Sequence, residues 1–128
     1  MSVRALSEAD VAYIQDTGVF VVSTDAGPVA LSEVSPHLGT RLLFCRSNDS
    51  FQGPHGELFD RRGFYVAGPA PRGMDRVGVR VQDDLVEIAP EDLRTGPPRG
   101  AGPPSDPTGR PCDVPGPLAR PGFAADPD

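Results

Sequence analysis

Val19-Phe20-Val21-Val22-Ser23-Thr24, then Asp25-Ala26-Gly27, then Pro28-Val29-Ala30-Leu31-Ser32-Glu33-Val34 is the stretch on which the fold turns. Apolar and β-branched residues crowd both flanks, and a short Asp/Gly turn joins them, which is the pattern of a hairpin. The same grammar repeats downstream. Arg41 to Phe44 reads as a short strand and Ser47-Asn48-Asp49-Ser50 as a turn. Glu57 to Asp60 and Phe64 to Ala67 flank an Arg61-Arg62-Gly63 turn. Val77, Val79 and Val81 alternate with Arg76, Gly78 and Arg80, a strand with one wet face, and Asp83-Asp84 turns the chain into Leu85 to Ile88. Upstream, Ser7 is placed to cap a helix that ends at Gly18, with Leu6 and Val11 spaced as a hydrophobic staple. The expected architecture is all-β, a small antiparallel sandwich with a short N-terminal helix.

The 128 residues suit one domain. Ten of the 16 prolines follow Arg94, as do six of the 15 glycines, and only Val114, Leu118 and Phe123 are large and apolar there. Residues 95–128 are therefore expected to form a disordered or draped tail, and residues 1–94 to carry the fold. The longest strongly apolar run, Val19 to Val22, is far short of the ~20 residues of a membrane span, and Met1 to Asp10 does not read as a signal peptide. All 12 basic residues are arginines, set against 18 acids for a net charge of −6. That balance argues against nucleic-acid binding and against a polybasic membrane contact. The expected location is cytoplasmic, or peripheral to a membrane through a partner.

The two histidines sit in similar settings, Pro36-His37-Leu38-Gly39 and Pro54-His55-Gly56. Paired loops of this kind can offer two imidazoles to one metal ion, or can be unrelated surface turns. Around them, Ser35-Pro36-His37-Leu38-Gly39-Thr40-Arg41, Phe44-Cys45-Arg46-Ser47 and Phe51-Gln52-Gly53-Pro54-His55-Gly56 resemble the cluster-binding region of Rieske iron–sulfur proteins. The likeness continues through Phe59-Asp60, Gly63 and Gly68-Pro69-Ala70-Pro71-Arg72-Gly73-Met74-Asp75-Arg76. It looks closest to the iron–sulfur subunits of actinobacterial quinol–cytochrome c reductases. The resemblance implies a one-electron-transfer task in a respiratory or redox complex, a protein partner, and a proline-rich segment closing over the site.

The family holds its 2Fe-2S cluster with two cysteines and two histidines. Its pattern is Cys-x-His-x-Gly-Cys in one loop and Cys-Pro-x-His-Gly in the other. Against that pattern His37 and His55 are retained ligand positions, Ser35 and Gly53 are the former cysteine positions, and Thr40 stands for a cysteine of the family's loop disulfide. The second loop is one residue short; aligned from His55 instead, it puts Gln52 at the cysteine position. Neither register recovers a thiolate, which supplies the charge and softness such clusters need. No cofactor is expected on this reading, and the chain is a degenerate Rieske-type domain acting as a structural or binding subunit. The alternative is a small electron carrier, with an unconventional 2Fe-2S cluster recruiting Cys45 or a mononuclear metal on His37 and His55 helped by Asp49, Glu57 or Asp60.

Cys45 and Cys112 are either two inert thiols or a disulfide that ties the tail back. No nucleophile elbow, phosphate loop or zinc helix is present in the sequence, and no catalytic constellation emerges.

Overall fold

The computed structural model describes residues 1–101, 107–114 and 120–125. One helix, α1 (Val3–Ala9), precedes nine strands: β1 (Val11–Ile14), β2 (Val19–Thr24), β3 (Gly27–Ser32), β4 (Leu43–Cys45), β5 (Ser50–Gln52), β6 (Leu58–Asp60), β7 (Tyr65–Ala67), β8 (Arg76–Gln82) and β9 (Leu85–Arg94). They form a five-stranded sheet ordered β1-β2-β3-β8-β9 and a four-stranded sheet ordered β4-β5-β6-β7, with every pairing antiparallel. The small sheet and its loops are thus an insertion between β3 and β8.

Four successive residues of β2 are buried because both faces of the large sheet are covered. Phe20 and Val22 face the space between the sheets with Leu31, Leu42, Phe44, Phe51, Phe59 and Met74. Val19 and Val21 face the other way, into a cluster with Leu6 of α1, Ala30, Val77 and Val86. The apolar run Val19–Val22 is therefore the hinge between two cores rather than one side of a single core.

The N-terminal expectation needs correction. The helix is capped by Ser2, whose Oγ accepts the Ala5 amide at 3.0 Å, and it ends at Asp10, which has φ 68°. Val11 to Ile14, expected to continue it, is strand β1, paired along its length with β2. Val11 and Ile14 fit a helical face equally well by spacing. The open edge of β2 decides the matter, because pairing with it satisfies backbone groups that a frayed helix end leaves to solvent. Gly18 serves the β1–β2 turn at φ +66° instead of a helix stop. Strand β5 was not anticipated, and β9 runs past Ile88 to Arg94, accommodating Pro90 beside a register shift opposite Val77 and Gly78. Leu118 lies outside the described residues.

The described parts of the C-terminal segment lie along the body. Cys112 is disulfide-bonded to Cys45 at the end of β4. Gln52 bonds the backbone of Cys112 in both directions, each at 3.1 Å. Farther on, the Phe44 amide donates to Gly122 O and the Ala124 amide to Phe44 O, both at 2.9 Å, so residues 122–124 cover the free edge of β4. Phe123 stacks edge-on to Phe20 and Phe44.

The disulfide closes a loop of 67 residues, a constraint worth about 4 kcal/mol in the chain-entropy model. Deleting residues 95–128 is expected to leave a cooperative unfolding transition for residues 1–94, lowered by about 4 kcal/mol or more. Cys112→Ser alone should account for most of that loss. Urea denaturation of the three proteins checks both statements, and a truncated chain with no transition would place the tail in the core.

Candidate functional site

The first histidine loop, residues 35–40, leaves β3 and returns to β4. It closes on itself through the Ser35 amide to Thr40 O at 2.7 Å and the Gly39 amide to Ser35 O at 3.2 Å. Leu38 and Gly39 both take the left-handed conformation, which bends the loop sharply. The Ser35 hydroxyl accepts the His37 amide at 3.1 Å and so fixes the histidine's backbone. The base of this loop is braced by Glu33, which accepts from Tyr13 Oη at 2.8 Å and from Arg41 Nε at 3.1 Å.

The second loop, residues 53–57, joins β5 to β6 and is pinned by the Gly53 amide to Glu57 O at 3.0 Å. The two loops meet. The imidazoles of His37 and His55 stand edge to face with centroids 5.2 Å apart, His55 exposed and His37 half-buried. The segment Gly68-Pro69-Ala70-Pro71 meets the second loop: a side chain on Gly68 would overlap the backbone of Gly56 and Glu57. Arg99 from the C-terminal segment holds this stretch down. It donates to Ala70 O at 2.8 Å and Gly68 O at 3.3 Å, while its guanidinium lies 4.4 Å from the Tyr65 ring centre.

Beneath the histidines sits a carboxylate. Glu57 is 1% exposed. Its Oε2 accepts from Ser35 Oγ at 2.9 Å and, at the limit of hydrogen-bond distance, from Thr40 Oγ1 at 3.5 Å. Its Oε1 accepts the His55 amide at 2.8 Å. A Cβ built on Gly53 would overlap the Glu57 carboxyl group. The carboxylate therefore lies between Ser35 and Gly53. Gln52, the other register's choice, is turned to Cys112.

Relatives found by sequence are iron-sulfur subunits of cytochrome b6-f complexes. The cytochrome b6-f complex iron-sulfur subunit of Synechococcus elongatus is 36% identical over 85 residues, covering 62% of this chain and 48% of that protein. The corresponding subunit 2 of a Nostoc species is 36% identical over 73 residues, covering 54% of this chain and 41% of that protein. The fold agrees: the plasma membrane Rieske protein PetC3 of Synechocystis superposes with a TM-score of 0.57 at 20% identity, covering 69% of this chain and 94% of that one. The chain therefore has the Rieske fold, and over part of its length it resembles iron-sulfur subunits of cytochrome b6-f complexes. No family model matches it, and it spans about half the length of the curated relatives.

At this tip of the fold the side chains do not fit a conventional 2Fe-2S cluster. Two imidazoles are side by side, but Ser35 is committed as a donor to Glu57, Gly53 has no side chain, and the carboxylate fills the space between them. Both cysteines are consumed in the disulfide, which removes Cys45 as a substitute ligand. Asp49 pairs with Arg61, and Asp60 accepts the amides of Arg62 and Phe64 in its own turn. Among the described residues, no group of three or more His, Cys, Asp or Glu side chains is arranged to hold a metal ion.

The sequence pointed to His37, His55, Ser35 and Gly53, and the structure brings these four together at one tip. In sequence Glu57 reads only as one of three accessory metal ligands, although a lone acid two residues after a loop histidine, entering a strand, is a visible anomaly. Arg99 lies in the Pro/Gly-rich segment after Arg94, and nothing in the sequence says where that segment would lie.

Burial pushes the Tyr13 hydroxyl up to about 12, and its hydrogen bond to the Glu33 carboxylate adds to the rise. The neutral phenol is thus favoured by the folded state. Its stabilising contribution is whole below the ordinary tyrosine value of about 10 and is lost as pH rises through about 12. Alkaline titration of tyrosinate absorbance should show a late phase near 12 that Tyr13→Phe removes. A single phase near 10 would contradict the brace at the base of the loop.

Proposed function

We propose that this chain is a degenerate Rieske-type domain, cluster-free, that serves as a structural or binding subunit of a redox complex. One observation carries the reading: a buried, hydrogen-bonded carboxylate occupies the space between Ser35 and Gly53, the positions where the family carries thiolates. The relatives bear the name of a redox complex's iron-sulfur subunit, which supports a protein partner for this chain. No described helix is long and apolar enough to cross a membrane. The Cys45–Cys112 disulfide favours an oxidising compartment, and so favours peripheral attachment through a partner over a reducing cytoplasm.

Protein purified without oxygen is expected to be colourless, with no stoichiometric iron or sulfide. Two irons and two sulfides per chain, with a Rieske-type paramagnetic resonance spectrum, would overturn the reading.

A second reading rests on the 5.2 Å imidazole pair, which is near enough to share one divalent ion. With only two protein ligands such binding is weak. Zinc titrated by calorimetry should then bind wild type weakly and His37→Ala not at all. Equal heats in the two proteins would remove the metal reading.

A further inference from the structure

We propose that the Glu57 carboxylate is the internal replacement for the cluster, binding the two histidine loops to each other and setting the spacing of His37 and His55. This rests on the cluster-free reading above and says what does the holding in its place. In a domain with a cluster, metal–ligand bonds from both loops converge on one object. Here the convergence is on one carboxyl group. Ser35 and Thr40 reach it from the first loop, and the His55 amide reaches it from the second, while Glu57's own backbone carbonyl takes the Gly53 amide.

The arrangement is a matched set rather than a chance contact. A buried carboxylate without partners is expensive, so the loops must supply donors. Serine at 35 supplies one where a thiol would be a poor donor. The same hydroxyl also accepts the His37 amide, so a single side chain orients the histidine and satisfies the carboxylate. Glycine at 53 supplies volume. Gly53 does not have a positive φ, so its backbone conformation does not call for glycine; the Glu57 carboxyl group does. The side chain is the flexible end of the contact, but it can withdraw only by giving up the Ser35 and His55 bonds inside a site where it is 1% exposed. Ser35, Gly53 and Glu57 are thus interdependent, and Glu57 is a positioning residue for the histidine pair.

The test is a cycle on the full-length chain. Gly53→Ala in the wild-type background should lower the melting temperature by roughly 5 °C or more, a shift of the size that about 1 kcal/mol produces in a domain of this length. The same substitution added to Glu57→Ala should cost nothing measurable, because the overlapping group is gone. Equal losses in both backgrounds would overturn the proposal. Glu57→Gln guards against a Glu57→Ala protein that does not fold. It keeps the volume but turns an amide donor toward Ser35 or the His55 amide, so the ring signals of both histidines should shift in NMR spectra. Unchanged ring signals would also overturn it. Iron and sulfide analysis of the same wild-type sample separates the two failures. Iron at two per chain sinks the cluster-free reading, whereas an additive cycle in iron-free protein sinks only the role of Glu57.

Discussion

Strands of three residues do not make a sheet that stands alone, and all four strands of the small sheet, β4 to β7, are that short. The sheet exists because Phe44, Phe51 and Phe59 are driven against Phe20 and Leu31 of the large sheet. The rings of Phe20 and Phe51, and of Phe44 and Phe51, pack with centroids 4.9 Å apart, tilted or edge-on, the arrangement that aromatic quadrupoles favour. Both histidine loops spring from the ends of these strands. The geometry of the site is therefore set by an aromatic core some residues away from it.

The same shortness explains the C-terminal segment. β4 is an edge strand, and its backbone groups would otherwise invite pairing with another chain. Residues 122–124 take those bonds, and Phe123 caps the aromatic core. The disulfide fixes the segment to β4 at one point, and Arg99 fixes it over the site at another. A proline-rich chain that cannot build a core of its own thus acts as a strap across the small sheet.

On the proposed reading, in which a carboxylate holds the loops where the family has a cluster, the physics of the loops differs. Metal ligation is strong and local, and it tolerates few donor types. A buried carboxylate is held by several modest hydrogen bonds, each of which must be present, because an unmatched buried charge costs several kcal/mol. The site is consequently specific in a different way: it demands hydroxyl and amide donors around Glu57 and an empty position at Gly53. The imidazoles above it are left without a structural duty in that network, at a tip formed by two loops and exposed at His55.

Much of this was legible in one dimension. The hairpin from Val19 to Val34 and the alternating strand from Arg76 follow from period-two patterning and from Pro/Gly punctuation, because those signals act through neighbouring residues; that the two histidine loops meet was implied only by the family resemblance. The Rieske likeness, and the expectation that Ser35 and Gly53 stand at its thiolate positions, could be read residue by residue from the motifs. Three things could not. Val11 to Ile14 suits a helix or a strand, and only the free edge of β2 chose. Cys45 and Cys112 are 67 residues apart, so their bond depended on where the tail was laid. Glu57 reads as an ordinary acid beside a turn, and its role appears only when Ser35, 22 residues earlier, is brought to 2.9 Å. Local pattern determines which segments are strands and which are loops; the company a buried group keeps is decided by packing, which joins residues the chain holds far apart.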